Sequence, residues 1–508
     1  MLSSQLSLAK NVQISSAGEL AKLKDKSLFR YEAYVNGNWV KAATGKTFDV
    51  VDPGTLETIG TVTDMDASDV RKAVDAASTA FASWKKTTAK QRSVLLRKWH
   101  GLIINNKDDL ARILALEGGK PLAEATGEIM YGASFIEWFG EEAKRVYGDV
   151  VPSPFGNSRL VVLKQPIGVA GIVTPYNFPN AMITRKVGAA LAAGCTVVVR
   201  PAHETPYSAL ALCELAQRAG IPPGVINVVT SSLYNTPDVG GELTTNPAIR
   251  KVSFTGSTPV GKLLMKQASS TMKKISFELG GNAPFIVFDD ADLDTAAEHL
   301  IACKFRNSGQ TCVCANRIYV HERVYDEFVD RFVALVKEKL RIGHGLDEGT
   351  TFGPVITARG LEKVEDQLKR AVNSGAKVVL GGKRPDLKVA GHFFEPTVLT
   401  NVSDDVPMSC EETFGPLCPI YKFSTEDEVI SRANNVPVGL AGYFFSRDIG
   451  RIFRVAEALE VGMVGVNIGT VSSEVAPFGG VKESGVGREG SRYGIDEYLN
   501  IKTLNIAF

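Results

Sequence analysis

A cysteine at the end of a short polar run, Gly309–Gln310–Thr311–Cys312, is placed for chemistry rather than for packing. The thiolate is the reactive form of cysteine and needs an accessible, polarised setting, whereas a thiol inside an apolar run stays inert. Cys195, within Gly194–Val199, is of the inert kind. In Phe277–Glu278–Leu279–Gly280–Gly281 one carboxylate stands between apolar neighbours and is followed by two glycines. Apolar surroundings disfavour the charged form and raise a carboxyl pKa, which suits a general base near neutral pH. Thr174–Pro175–Tyr176–Asn177–Phe178–Pro179 is a loop fixed by two prolines, from which Asn177 can aim its amide at a developing oxyanion. An asparagine there can equally satisfy its own turn. Nucleophile, base and oxyanion donor are together the parts of covalent catalysis through a thiol.

Features that could hold an anion accompany them. Thr255–Gly261 follows the β-rich run Lys251–Phe254 and leads into a helical pattern, Val260–Gln267. Gly256 and Gly261 permit a tight turn, Ser257 adds a hydroxyl, and the new helix N-terminus offers free N–H groups. An N-capped helix after a strand would leave the same spacing. The run Thr196–Val199 ends on Arg200, with His203 three residues later. Open parallel sheets bind ligands beyond the carboxyl ends of their strands, where a cation suits ribose hydroxyls or a phosphate. A GxGxxG string at Gly485, Gly487 and Gly490 is a decoy. Pro477–Ser484 before it is a loop rather than a strand, and only 18 residues follow Gly490, too few for a βαβ unit.

The elements that must position these groups alternate strand and helix. Val169–Val173 and Thr196–Val199 predict strands around a helix over Ala181–Ala193; Ser208–Ala219 predicts a second helix, and Val225–Val229 and Lys251–Phe254 further strands. Continuous Val/Ile runs in this rhythm imply a parallel sheet covered on both faces. A second α/β block begins near Ala283, with a strand over Ala283–Phe288, helices over Leu293–Lys304 and Tyr325–Lys339, and strands over Arg317–Val320, Ala376–Leu380, Pro396–Leu399 and Pro419–Phe423. Val150–Lys164 breaks the rhythm as a β-hairpin around Pro154–Asn157, and Tyr498–Ile506 predicts a last strand that pairs with it or with another subunit.

Composition narrows the function classes. The chain has 508 residues, 57 basic against 56 acidic, and a net charge of +1, with no basic stripe of the kind nucleic-acid binding needs. Its longest apolar run, Val187–Val199, is too short to span a bilayer, and the first 30 residues lack the apolar core of a secretion signal. No nucleic-acid or membrane partner is therefore expected. The start of the chain is rich in Ser and Lys, but Glu19 and Asp25 intervene, so the cytoplasm is expected, with a mitochondrial leader as the alternative. Seven cysteines without a CxxC pair and six scattered histidines predict neither a disulfide framework nor a metal site. Cys312 and Cys314 are one tight pair. If their loop bends, a disulfide would silence the thiol under oxidation; otherwise Cys314 is a spare thiol.

In order, Asn177, the Gly256/Gly261 loop, Glu278 in its glycine-flanked motif and Cys312 in Gly-Gln-Thr-Cys resemble the signature set of the aldehyde dehydrogenase superfamily. Glu412–Thr413–Phe414–Gly415–Pro416 and Pro477–Phe478–Gly479–Gly480 are similar to further motifs of that family, and the resemblance runs from about Val35 to Thr503. It implies an α/β fold with three parts. These are a Rossmann-like cofactor domain (1–149 and 166–278), an α/β catalytic domain (279–485) and a small β-hairpin oligomerisation element (150–165 and 486–508). It implies that Cys312 attacks an aldehyde, that Asn177 and the Cys312 N–H stabilise the oxyanion, and that Glu278 activates water against a thioester. Glu412 would hold the nicotinamide ribose, with Phe414 packed nearby.

Within the superfamily, Ile183–Thr184–Arg185–Lys186 and the segment from Lys304 through Arg306 to Cys314 most resemble succinate-semialdehyde dehydrogenases. That resemblance implies a substrate carboxylate bound by Arg185, Arg306 and Ser472, arginine being the better reader through bidentate pairing. Two positions depart from the commonest family pattern. The strand end reads Arg200–Pro201–Ala202–His203 instead of Lys-x-x-Glu, which keeps a cation, loses an acid and so favours NADP over NAD; Tyr176 replaces a common Trp. The expected activity is NAD(P)-dependent oxidation of succinate semialdehyde in a homodimer or homotetramer. Oxidation of glutarate semialdehyde or uncharged aldehydes is the alternative, and a cofactor-free thiol esterase or a structural protein reusing the fold is the reading from another class.

Overall fold

Strand Val169–Val173 is the pivot of the first sheet. The computed structural model describes residues 6–8, 15–387 and 389–508. In it, Val169–Val173 pairs in parallel with Thr196–Arg200 on one side and Ile249–Thr255 on the other. The sheet has eight strands. From Val169–Val173 it continues through Thr196–Arg200 and Ile226–Val228 in one direction, and through Ile249–Thr255 and Lys274–Glu278 in the other. These five central strands are parallel, as their unbroken β-branched runs predict. The edges are antiparallel: Ala33–Val35 and Asn38–Val40 close one, and Gly485–Val486 closes the other. Strand order reverses about Val169–Val173, so a crevice opens between the carboxyl ends of that strand and of Ile249–Thr255.

The second sheet has seven strands, in the order Lys377–Leu380, Thr397–Thr400, Leu417–Phe423, Ala315–His321, Ala283–Val287, Ala441–Phe445, Met463–Val466. All neighbours are parallel except the first pair. The helix Tyr325–Lys339 buries Tyr325, Phe328, Val329, Phe332 and Val336 against this sheet's core, a spacing that keeps one face apolar. The chain leaves the first sheet at Glu278 and enters the second at Ala283, so the carboxyl edge of one meets the amino edge of the other. The approach is close: a Cβ on Gly281 would lie 2.5 Å from the Cys312 carbonyl oxygen.

The predicted hairpin is present as Asp149–Val151 and Ser158–Pro166, and the last strand, Leu499–Ala507, pairs with Ser158–Pro166 within the same chain, from Leu499 opposite Pro166 to Ala507 opposite Ser158. The Gly-rich string does not hold a phosphate turn. Gly485 sits at φ 125° opposite Glu278, where a Cβ would lie 1.9 Å from the Phe277 carbonyl oxygen, so glycine is required for the edge strand to approach. No helix among the described residues is long and apolar enough to cross a membrane.

Candidate active site

Cys312 lies in the connection between helix Leu293–Lys304 and strand Ala315–His321 and is partly exposed. The turn before it is unusual: Asn307, Ser308 and Gly309 follow one another at φ of 50°, 55° and 78°, a short left-handed stretch. Each non-glycine residue there costs about 1–2 kcal/mol. Hydrogen bonds hold the strain in place. The Asn307 N–H donates to Glu124 Oε2 at 2.8 Å, Ser308 Oγ donates to the Gly353 carbonyl at 2.7 Å, and the Ile356 N–H donates to Gln310 Oε1 at 3.0 Å. Backbone strain that the surroundings over-determine is commonest at functional sites. Burial pushes the Cys312 thiol up to about 12, against the pull of the Arg185 and Arg306 charges. Cys314 faces the core instead, its thiol donating to the Lys304 carbonyl at 3.4 Å.

Asn177 is buried at the carboxyl end of strand Val169–Val173, on the crevice. Its Nδ2 donates to the Gln310 carbonyl at 3.1 Å, which ties it to the cysteine loop and leaves a second N–H for a ligand. Its own carbonyl accepts from Lys120 Nζ at 2.8 Å and from Asn307 Nδ2 at 3.1 Å. Lys120 is buried against Glu128, whose other oxygen accepts the Asn180 N–H at 2.9 Å and caps the helix Ala181–Ala193.

Glu278 ends its strand fully buried, and neither carboxylate oxygen has a hydrogen-bond partner. Burial, with the negative charge of Glu489 behind it, holds its carboxyl well above the usual range. Glu489 pairs with both Arg185 and Lys186, neighbours on one helix, and these cations hold it below the usual range against its burial.

Arg185 lies under Phe478, its guanidinium 4.4 Å from the ring centroid, with Nη2 unpartnered. Arg306 lies 5.4 Å from the Phe178 ring and makes no ion pair among the described residues. Ser472 Oγ is hydrogen-bonded to the Tyr131 hydroxyl, and the charges of Arg185 and Arg306 both act on that phenol. Two cations and two hydroxyls therefore converge beside Cys312, a setting that attracts a carboxylate.

At the other end of the crevice, Ser257 caps the helix Thr258–Ala268 without a side-chain bond, so its first-turn N–H groups stay free. Gly261 allows that helix to press on Leu279, since a Cβ there would lie 2.5 Å from Leu279 Cδ2. Glu412 accepts the Gly281 N–H at 3.2 Å, and burial raises its carboxyl to about 7. Tyr176 packs edge-on against Phe414, ring centroids 6.1 Å apart. Arg200 is buried with hydrogen bonds to Ser231 Oγ, at 3.1 Å, and Thr236, and makes no ion pair among the described residues.

A model of the aldehyde dehydrogenase family matches residues 39–504. The chain belongs to the aldehyde dehydrogenase family. A glutarate-semialdehyde dehydrogenase of Pseudomonas putida is 58% identical over 96% of this chain and 100% of its own length. An NADP(+) succinate-semialdehyde dehydrogenase of Escherichia coli is 56% identical, over 96% of this chain and 99% of its own. Among solved structures, a succinate-semialdehyde dehydrogenase from Burkholderia pseudomallei superposes with a TM-score of 0.94 at 57% identity, covering 96% of this chain and 100% of that one.

In this aldehyde dehydrogenase the residues singled out from sequence fall into two groups. Asn177, Arg185, Glu278, Arg306, Cys312 and Ser472 gather about the nucleophile loop. Arg200, Gly256, Ser257 and Gly261 lie at the carboxyl edge of the first sheet, while Glu412 bridges to Gly281 between the sheets. His203 is taken up by Glu204, Nδ1 to Oε2 at 3.0 Å, so the acid missing from the fourth position of the motif stands one residue on. Sequence reading missed Tyr131 and Glu128, which sit in ordinary helical context, and Lys120, in the short connection before their helix Leu122–Glu142. It also missed Glu489, which lies inside the rejected Gly-rich string. The three acidic or basic neighbours Arg185, Lys186 and Glu489, buried together, were the available signal only once the fold joined them.

Proposed function

We propose that this aldehyde dehydrogenase oxidises succinate semialdehyde to succinate, with NADP as the favoured cofactor and NAD as the alternative. The observation that carries the substrate is the convergence of Arg185, Arg306 and the Tyr131–Ser472 hydroxyl pair beside Cys312. Names of relatives on both sides support a short semialdehyde: succinate for that of E. coli, glutarate for that of P. putida. The second of these keeps the glutarate reading alive.

Cys312 is the nucleophile: its sulfur bonds to the aldehyde carbon while its proton passes to Glu278 or solvent. The charge arising on oxygen is met by the free N–H of Asn177 and the Cys312 N–H. When bound, a nicotinamide cofactor would supply the hydride acceptor; loss of hydride from the adduct's carbon leaves a thioester on Cys312. Glu278 then takes a proton from water, the water oxygen attacks the thioester carbon, and the Cys312 sulfur leaves as the acid forms. Glu489, paired with Arg185 and Lys186, keeps its charge, and that charge opposes ionisation of Glu278, which favours the proton-accepting strength of its carboxylate. Ser257, Gly256 and Gly261 would hold the pyrophosphate, Glu412 the nicotinamide ribose with Phe414 beside it, and Tyr176, Arg200 and His203 the adenosine side. The cofactor fits these residues because a helix N-terminus is uncapped and the buried Arg200 has no acid paired to it. The first sheet, with 1–149 and 166–278, serves as the cofactor domain, and 279–485 as the catalytic domain. The segments 150–165 and 486–508 are read as the oligomerisation element of a dimer or tetramer; they carry the sheet of Asp149–Val151, Ser158–Pro166 and Leu499–Ala507, while Val486 itself pairs with Phe277 in the first sheet, and exposed Val150, Ile501, Ile506 and Phe508 support the reading. The cytoplasm is the favoured compartment. Cys314 is a candidate partner for Cys312 in an inactivating disulfide, which requires its thiol to leave the Lys304 carbonyl.

Initial rates with succinate semialdehyde, glutarate semialdehyde and hexanal, each with NADP and NAD, test the reading. A preference for succinate semialdehyde is expected; hexanal with equal or better kcat/KM would overturn the role of the arginines.

A further inference from the structure

The two loops that bear Asn177 and Cys312 come from different sheets, and one side chain bridges them. Asn307 Nδ2 donates to the Asn177 carbonyl at 3.1 Å and to the Gln310 carbonyl at 3.2 Å. The Gln310 carbonyl is also the acceptor of the Asn177 amide, at 3.1 Å, so a single oxygen fixes where that amide points. Asn307 is itself held rigidly. Its N–H is bound by Glu124, its carbonyl accepts from Gln310 Nε2 at 3.0 Å, and its φ of 50° lies in the region that asparagine tolerates better than most residues. Lys120 secures the far side of the same Asn177 carbonyl.

We propose that Asn307 is a positioning residue: its amide clamps the Asn177 loop to the Cys312 loop and thereby sets the distance between oxyanion donor and nucleophile. It touches neither substrate nor reacting atoms and acts through Asn177. The inference rests on the catalytic roles given above to Asn177 and Cys312. The geometry separates two functions of the residue. Its backbone needs a residue at ease at positive φ, which glycine satisfies best, while its side chain supplies two N–H bonds, which glycine lacks.

Asn307→Gly therefore keeps the turn and removes only the clamp. The expected result is a fall in kcat of about 100-fold, the size of loss that a misplaced catalytic group brings, with KM for succinate semialdehyde within about 3-fold of wild type. Asn307→Asp, similar in shape but unable to donate, should lose as much and carries the test if the glycine variant does not fold. The double variant Asn307→Gly/Asn177→Ala should be no slower than Asn177→Ala alone, because the clamp has nothing left to position. A folded glycine or aspartate variant with near wild-type kcat overturns the proposal, as do losses that multiply in the double variant. Full activity in Cys312→Ser or Asn177→Ala would instead overturn the catalytic reading beneath it.

Discussion

Arg185 is ion-paired with Glu489, a residue about 300 positions away in the chain, and Lys186 shares the same carboxylate. The pair ties a helix of the first sheet to the loop that closes that sheet's edge, and it places a negative charge against Glu278. A buried carboxylate between two cations keeps its charge, and its field opposes ionisation of the next carboxyl.

Replacing that charge should shift the pH dependence of turnover. In Glu489→Gln the repulsion on Glu278 is gone while Arg185 and Lys186 remain, so the Glu278 pKa falls. The base form exists above its pKa, so the acid limb of the kcat profile should move to lower pH. Breaking a buried pair leaves uncompensated charge and costs about 3–5 kcal/mol, so thermal stability should drop in parallel. An acid limb that stays in place or moves to higher pH would show that Glu489 does not govern Glu278.

The thiol makes a separate prediction. Burial pushes Cys312 up to about 12, so in the free enzyme it is almost wholly protonated near neutral pH. Only the thiolate reacts, and its fraction grows about tenfold per pH unit below the pKa. Iodoacetamide labelling of Cys312, followed by mass spectrometry, should therefore keep accelerating from pH 6 to 9. Arg185→Met should slow it, because that cation lowers the thiol pKa. A plateau below pH 8 would mean the thiol is far more acidic in solution.

Much of this was legible because chemistry and local geometry coincide in the chain. The strand–turn–helix at Thr255–Gly261 and the Gly-Gln-Thr-Cys turn carry their signals within a few residues, and the helices Ala181–Ala193, Leu293–Lys304 and Tyr325–Lys339 fall where their apolar spacing puts them. What stayed hidden depends on long-range contacts. Glu489 looks like a charge in a glycine-rich loop until Gly485 is paired with Glu278 across the sheet edge. Tyr131 sits on a helix whose apolar face is continuous, and nothing local reveals that its hydroxyl meets Ser472. The antiparallel edges of the first sheet were also hidden, since strands of two or three residues leave almost no periodic pattern.

Arg306 makes no ion pair among the described residues, so its charge is available to a substrate. A hydrogen bond to a charged group is worth about 1.5–3 kcal/mol, which predicts a roughly 10–150-fold loss in kcat/KM for succinate semialdehyde in Arg306→Ala. Hexanal, without a carboxylate, should be oxidised by the variant at close to the wild-type rate. Equal losses for both aldehydes would assign Arg306 to the Cys312 environment rather than to recognition.

The proposed preference for NADP is tested at Arg200. Burial lowers its guanidinium to about 10, still charged at neutral pH, and its hydrogen bonds go to Ser231 and Thr236 rather than to an acid. A 2′-phosphate brings strong acceptor oxygens that a free ribose hydroxyl lacks, so the cation should favour NADP. Glu204 works in the opposite direction, and its pairing with His203 limits the repulsion. Two substitutions separate these effects. Arg200→Ala should raise KM for NADP about 10-fold or more, in line with a lost charge-assisted bond, and leave KM for NAD within about 3-fold. His203→Ala frees Glu204 to repel the phosphate, so it too should weaken NADP selectively and by a smaller factor. If NADP and NAD weaken together in Arg200→Ala, the residue is holding the Ser231–Thr236 turn in shape, and the preference for phosphate must come from elsewhere.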